Sequence, residues 1–539
     1  LAFIAVDMTP VLPGGKNGGA KILAIELLKS FHKMAVQDQF LVLTASWNHE
    51  DLAVLDGPNM RRSCILTGQE PKPKPNHARY SRRLHWAMGR VRSHLKRVTG
   101  GRSSMGRSLA AQGVELLFCP FTAPTYAEGS IPTVSVVLDL QHRELPQFFS
   151  LHEIGLRNDF MGELKRKADR IICISEHTRK TVLDHLEIPP EKTHAVPICI
   201  QTRLSRPEEE ESVRCLTDFG ISKRPYMFYP ANFWSHKNHS MLLTAFGMFL
   251  TRNPQSPIDL VFTGAMNGRE DAIKQAVSQM GLAKRVHFLG FVPQEKLASV
   301  WFGCEFLIFP SLYEGFGIPV LEAMSIGKPV LCSNTTSLPE VAGEAALYFD
   351  PRKPGDIVNC LERVSKDFSL RKNLAKQGYA RAADFSPETM TRKYLEIFRS
   401  ALRDPSPVSE GVSGIFQDGW IGKEMMIGFA EGPRNRSIEI QLSAPPWLPV
   451  RRVKLKLQCG GKTVQRLRIR RGGEIALNQS LPQDQCLFTL TVSSTFSPSE
   501  MKIGEDNRAL GVKCDGCWLI HPDRERTSLM KIGEGCSPV

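Results

Sequence analysis

The chain has 539 residues, 42% apolar and 23% charged, with 69 Lys/Arg against 55 Asp/Glu for a net charge of +14. That length accommodates three or four domains, and the composition is that of a globular protein, not of a disordered or fibrous one. No run of about 18 apolar residues occurs, so no membrane-spanning helix is expected.

The opening LAFIAV reads as a buried strand, without the basic leader or small-residue cleavage site of a secretory signal. A glycine loop, GGKNGG (14–19), follows, then a helical pattern over 18–34. Apolar strand-like runs recur at FLVLTA (40–45), VELLFCP (114–120), TVSVVLD (133–139), RIICIS (170–175) and THAVP (193–197), with a further helical pattern at 155–168. Alternation of this kind predicts a doubly wound parallel sheet. Between the second and third runs, residues 61–107 hold thirteen Lys/Arg against one acid, Glu70. Within that segment Tyr80, Leu84, Ala87, Val91, Leu95 and Val98 recur at steps of three and four. The pattern predicts a basic amphipathic helix over 79–98, suited to an anionic membrane surface or an anionic substrate. It reads equally as a solvated helix with its apolar face on the core. No nucleic-acid-binding motif accompanies the charge, so no nucleic-acid partner is expected.

The charged stretch RPEEEES (206–212) reads as a linker, after which a second alternating series begins. Strands are expected at YMFYPA (226–231), IDLVFTG (258–264), VHFLG (286–290), FLIFPS (306–311), PVLCS (329–333) and ALYFD (346–350). Helices are expected at 238–252, 269–280, 294–303, 355–381 and 387–402. Two such sheets in tandem leave a cleft faced by the C-terminal ends of their strands, where ligands bind.

One of those strand ends carries SLYEGFGIPVLEAMSIGKPV (311–330), with Glu314 and Glu322 eight positions apart across a loop that becomes a helix. A helix N-terminus after a parallel strand presents free N–H groups and partial positive charge, which suit a phosphate. Gly315 and Gly317 let a ligand approach the backbone. Glu322, one to two turns into the helix, is placed to accept hydrogen bonds from a pair of sugar hydroxyls. These are parts for gripping a nucleotide sugar. The same residues also fit an ordinary strand–turn–helix with one acid favoured by the helix dipole and another facing solvent.

Beyond DPSPVSEGVS (404–413) the chain changes class. Short alternating runs at SIEIQLS (437–443), RRVKLKLQ (451–458), VQRLRIR (464–470) and CLFTLTVS (486–493) predict an all-β sandwich or jelly roll. The expected domains are therefore 1–205 and 206–403, both Rossmann-like, a linker at 404–413 and a β-sandwich module at 414–539. The thirteen cysteines lie mostly in apolar strands, which fits a reducing, cytoplasmic compartment. Cys514 and Cys517 form a C-x-x-C without a second pair at zinc spacing, so no metal site is expected.

The Glu314-x7-Glu322 spacing in its Gly-Phe-Gly setting resembles the E-x7-E motif of retaining GT-B glycosyltransferases of group 1. The resemblance covers roughly residues 1–402 and is carried also, in family order, by GGKNGG, DLQHRELPQFF (139–149), ANFWSHKNH (231–239) and SLPEVAG (337–343). It implies two Rossmann-like domains, the first receiving the acceptor and the second the nucleotide-sugar donor. It implies that Glu322 holds the donor ribose and that Glu314 lies beside the hydroxyls of the transferred sugar. The backbone of Gly315, Phe316 and Gly317 then lies near the sugar and diphosphate, Lys237 and Asn232 line the diphosphate side, and Gly18 and Gly19 close from across the cleft. No bound cofactor and no metal are implied, only a nucleotide-sugar donor.

Two positions depart from the family pattern. Leu138 precedes Asp139 where many relatives have a histidine, which makes His142 the candidate imidazole of the cleft. Ala231 and Asn232 stand where relatives often carry an arginine before the phosphate-binding lysine. The wording of DLQH and ANFW…HKNH resembles mannosyltransferase-like members most, so GDP-mannose is the first choice of donor and a UDP-sugar the second. The expected acceptor is a glycan or polyprenyl-linked glycan of bacterial surface-polysaccharide assembly, met by a cytoplasmic enzyme peripheral to the inner membrane face. The alternatives are a catalytically impaired glycan-binding protein or another GT-B enzyme, such as a nucleotide-sugar epimerase.

Overall fold

The computed structural model describes residues 2–13, 17–68, 109–128, 131–199, 204–265 and 270–403, and in the C-terminal part 411–415, 420–429, 433–459, 462–483, 486–496 and 510–529. The expected basic helix 79–98, residues 14–16 of the glycine loop and most of the 404–413 stretch lie outside the described residues.

Seven parallel strands form the first sheet: β1 (Phe3–Asp7), β2 (Gln39–Ala45), β3 (Met60–Leu66), β4 (Leu116–Cys119), β5 (Thr133–Val137), β6 (Arg170–Cys173) and β7 (Thr193–Ala195). Their spatial order is β3-β2-β1-β4-β5-β6-β7, the reversal beside β1 marking a doubly wound sheet. β4, β5 and the last three residues of β6 are buried throughout, which is why they read as unbroken apolar runs. β3 escaped that reading because MRRSCIL is an edge strand, with Arg61 exposed and Arg62 paired to Asp56 at 2.7 Å. The helix Leu151–Lys167 starts four residues before the periodicity suggests. Ser150 and Glu153 form a capping box that satisfies its free N–H groups.

Six parallel strands form the second sheet, in the order β10-β9-β8-β11-β12-β13. They are β8 (Tyr226–Pro230), β9 (Asp259–Thr263), β10 (Val286–Phe288), β11 (Phe306–Phe309), β12 (Val330–Ser333) and β13 (Ala346–Phe349). The expected linker at 206–212 is corrected in part. Glu209, Glu210 and Glu211 form the first turn of the helix Glu209–Asp218, where the helix dipole favours acids. The long helix expected at 355–381 is two helices, Pro354–Lys366 and Phe368–Ala382. The break is at Asp367, whose carboxylate caps the second by accepting from Leu370 N at 2.8 Å.

The helix Pro387–Arg403 crosses back to the first sheet. Its Tyr394 and Phe398 meet Phe31 and Phe118 in an aromatic cluster with ring centroids 4.9–6.4 Å apart. One apolar core consequently runs through both sheets and this returning helix.

The C-terminal module is antiparallel, as its alternating pattern predicts. Its main path is β18-β17-β20-β15-β21-β16-β19, with β14 on β15 and β22 on β21. Here β14 is Gly411–Ile415, β15 Trp420–Phe429, β16 Ser437–Ser443, β17 Arg452–Cys459, β18 Lys462–Arg470, β19 Glu474–Ser480, β20 Cys486–Val492, β21 Val512–Ile520 and β22 Arg526–Ser528. All seven strands of the path contribute side chains to one separate apolar core, closing the module as a sandwich. Cys514 and Cys517 are buried free thiols on β21, and no His/Cys/Asp/Glu group among the described residues is arranged to hold a metal. No helix among the described residues is long and apolar enough to cross a membrane.

Candidate active site

The loop after β8 and the loop after β11 are tied together by backbone geometry. Asn238 adopts a left-handed conformation, φ +63°, which turns its side chain to donate to Pro310 O at 3.1 Å and Pro351 O at 2.8 Å. Leu312 N donates to His236 O at 2.8 Å. Lys237, at the end of the short 3₁₀ turn Ser235–Lys237, is thereby aimed at the second loop. Its Nζ donates to Glu314 Oε1 at 2.6 Å, and both side chains are mostly buried, at 13% and 12% exposure.

The Glu-Gly-Phe-Gly turn is held from beneath. Glu314 N donates to Thr336 Oγ1, and Ser337 Oγ donates to both Glu314 O and Phe316 O at 2.9 Å. Phe316 itself points inward against Phe385, so only its backbone is available to the cleft. Gly317, φ +106°, opens the helix Ile318–Ser325 without a side-chain cap. That positive φ is what favours glycine here; a Cβ would also lie 2.5 Å from the Leu338 Cδ2 methyl, which would have to shift. Glu322 lies on this helix at 2% exposure, among Val320, Leu321, Ala323 and Met324.

The first domain supplies the opposite wall. A Cβ at Gly315 would lie 2.0 Å from Leu138 O, so the two backbones touch where the strand ends of the two sheets meet. Ser175 Oγ and Thr178 Oγ1 donate to Gly315 O at 2.7 and 3.1 Å. Glu340 of SLPEVAG accepts from Glu176 N and His177 N at 2.8 and 3.0 Å, capping a helix of the other domain. Gly18, φ +55°, stands beside Trp234 and Asn232, and Gly19 beside Ile318 at the start of the Glu322 helix. Asn232 Oδ1 accepts from Ala265 N at 2.7 Å and shapes the loop.

Lys237, Glu314, Gly315, Gly18, Gly19 and Asn232 are therefore drawn into one region. His142 is 1% exposed on the short helix Gln141–Glu144, with Nε2 3.2 Å from Asn158 Oδ1. Burial, reinforced by the Arg157 charge, lowers its pKa to about 4 and keeps the ring neutral.

Several site-building residues were not apparent from the sequence. Ser175, Thr178 and Glu340 act across the domain boundary, which no local pattern reveals. Asp7 had a signal, an acid ending the apolar run of β1 beside the glycine loop. Its carboxylate accepts from Thr9 N and Thr9 Oγ1 at 3.0 and 2.7 Å, and burial raises its pKa to about 6.

Residues 218–381 match the family model described as glycosyl transferases group 1. The chain carries a group 1 glycosyltransferase domain. Asn232, Lys237, Glu314 to Gly317 and Glu322 all fall inside it, whereas Gly18, Gly19 and His142 come from the domain that faces it. An O-antigen chain mannosyltransferase B of Escherichia coli is 27% identical over 279 residues, covering 52% of this chain and 72% of that protein. A serotype-specific mannosyltransferase WbdA of Escherichia coli is 26% identical over 329 residues, covering 57% of this chain but only 40% of the relative. Among solved structures, Anabaena Alr3699/HepE in complex with UDP and glucose superposes with a TM-score of 0.55 at 18% identity, covering 74% of this chain and all of that one. WaaG, a glycosyltransferase involved in lipopolysaccharide biosynthesis, superposes at 0.53 and 14% identity, over 73% of this chain and 99% of that one. The two α/β domains thus form a GT-B glycosyltransferase fold, and the group 1 domain is its second half.

Proposed function

We propose that this protein is a retaining glycosyltransferase that moves a hexose from a nucleotide sugar to a glycan or lipid-linked glycan of bacterial surface-polysaccharide assembly. The observation that carries the reading is the Lys237–Glu314 pair, set at the junction of the strand ends beside an uncapped helix N-terminus that holds Glu322. A diphosphate entering there meets the Lys237 ammonium and the partial positive charge of the helix N-terminus after Gly317, where Pro319 has no N–H and Val320 N already donates to Gly317 O. Both favour the charge that develops as the sugar–phosphate bond breaks. Glu322 takes the ribose hydroxyls and Glu314 the hydroxyls of the transferred sugar.

In the step proposed, the bond between the anomeric carbon and the diphosphate oxygen breaks while the acceptor oxygen bonds to the same face of that carbon. The acceptor proton passes to the departing diphosphate. Lys237 and the helix N-terminus supply the positive charge, so the reaction proceeds without a divalent metal. Mannose from GDP-mannose is the first donor, supported by the mannosyltransferase relatives, and UDP-glucose the second. The basic composition of segment 79–98 suits an anionic acceptor, and the enzyme works at the cytoplasmic face of the inner membrane.

The test is transfer itself. The full chain, given GDP-mannose or UDP-glucose and a lipid-linked acceptor extract, should yield a mannosylated or glucosylated product with the donor's anomeric configuration, read by NMR. Donor binding without product would identify a glycan-binding protein instead. Product of inverted configuration would remove the retaining mechanism.

A further inference from the structure

The C-terminal module carries a charge pattern that nothing in the cleft uses. Between residues 451 and 471 the chain has nine Lys/Arg and no Asp or Glu. The strands that hold them, β17 and β18, pair antiparallel at one end of the sheet. In register, Val453 meets Ile469, Leu455 meets Leu467 and Leu457 meets Gln465, and this set faces the core. The alternate set puts Arg452 opposite Arg470, Lys454 opposite Arg468 and Lys456 opposite Arg466. All six point outward, Lys456 half-buried and the other five exposed.

Directly opposed side chains on one face of a sheet lie roughly 5 Å apart, and like charges there repel. Successive positions on that face recur about every 7 Å along a strand. The six cations therefore form a two-by-three grid. Among the described residues no carboxylate pairs with any of them. Protection of an exposed edge against aggregation accounts for charge on β18. It does not account for β17, an interior strand bonded on both sides, to β18 and β20. Placing three cations on β17 opposite three on its neighbour costs stability unless an anion lies over them.

We infer that this face docks on the headgroups of an anionic phospholipid bilayer. The charge of this face complements that of an anionic bilayer surface. The face continues on β20 with Thr491 and Thr489, opposite Lys456 and Gln458, so hydroxyl and amide groups border the grid. Neither β17 nor β18 contains an aromatic residue, so there is no ring on which a sugar or a base could stack. The inference is independent of the transfer reaction, since it uses no residue of the cleft and places the module, rather than the α/β domains, on the membrane.

The experiment is co-sedimentation of the full chain with vesicles of phosphatidylglycerol and phosphatidylcholine, against phosphatidylcholine alone. Wild type should bind only the anionic vesicles, and less as salt is raised from 0.1 to 0.5 M, about 10 to below 5 Å in screening length. Each cation near such a surface contributes about fivefold to partitioning, so K454Q/R466Q/R468Q should bind about a hundredfold more weakly. Its thermal midpoint should equal or exceed that of wild type, because repulsion is relieved. Arg468→Glu should also lose binding and should raise the midpoint through a new pair with Lys454. A variant in the 79–98 segment, R82Q/R83Q/R90Q/R92Q, should keep the binding that the sheet face provides. The inference is overturned if wild type ignores anionic vesicles, if the triple variant binds as well as wild type, or if a DNA duplex binds through this face and vesicles do not.

Discussion

Lys237 Nζ and Glu314 Oε1, 77 positions apart in the chain, stand 2.6 Å apart where the strand ends of the two sheets meet. Neither loop would hold its charged side chain there alone. Asn238 and Leu312 bind the loops to each other, and Thr336 and Ser337 support the turn that carries Glu314. The pair is thus a fixed, largely desolvated charge arrangement at the point where a diphosphate and a sugar would lie side by side.

Lys237→Ala should lower turnover by about 10² to 10³, the range for loss of one group stabilising developing charge. Affinity for the nucleoside part of the donor should change only a few-fold, because that charge builds as the bond breaks. Steady-state kinetics beside nucleotide titration separates the two effects. Stability should also fall, by up to about 3 kcal/mol, since Glu314 is left mostly buried without its partner.

Gly315→Ala should open the cleft. Its new methyl would lie 2.0 Å from Leu138 O, backbone against backbone, so the domains must part and the Ser175 and Thr178 bonds to Gly315 O must break. Ser175→Ala loses one of those bonds and the cap at Thr178 N without any clash, at a cost of about 1 kcal/mol. Small-angle scattering should detect the parting only in the glycine variant, and activity should fall further there than in the serine variant.

Three buried groups make stability depend on pH in opposite directions. His142 and His239 have pKa values lowered to about 4 and about 3, chiefly by burial, so folding favours their neutral forms. Their contributions grow as pH rises from those values toward 6.5, and are complete above it. Asp7 is raised to about 6, so its protonated form is favoured and its contribution declines as pH rises from about 4 to 6. Denaturant titrations between pH 4 and 7 should therefore show wild type gaining on His142→Gln and losing ground to Asp7→Asn as pH rises. At pH 7 Asp7→Asn should match or exceed wild type, by up to about 3 kcal/mol.

Activity should survive excess EDTA and should not increase with Mn²⁺ or Mg²⁺, because Lys237 and the Gly317 helix terminus already supply the charge a diphosphate-bound cation would bring. Loss of activity in EDTA with recovery on adding either metal would contradict this.

The parts visible in the sequence were those with a local signature. β5, β9 and β11 are buried on both faces and read as apolar runs, and the spacing of Glu314 and Glu322 stands in one continuous stretch. What escaped depended on neighbours distant in the chain or on a pattern that misleads. Ser175 reaches Gly315 across 140 positions, and Glu340 caps a helix 164 positions earlier. The acid run at 206–212 looked like solvent-exposed linker because its charges satisfy a helix dipole invisible in composition. β21, VKCDGCWLI, hides its alternation behind a register shift opposite Gln441 and Leu442. The opposed cations of β17 and β18 read simply as two alternating strands until the register put them face to face.

The most direct measurement is calorimetric titration of the full chain and of Glu322→Ala with GDP-mannose and UDP-glucose. Glu322 is 2% exposed on the helix that Gly317 opens, and the account gives it the ribose of the donor. Wild type should bind at least one of the two donors, and Glu322→Ala, folded by circular dichroism, should bind it at least about tenfold more weakly, as loss of a charged hydrogen-bond acceptor requires. Wild-type protein that binds neither nucleotide sugar, or a Glu322→Ala variant that binds as tightly as wild type, would contradict it.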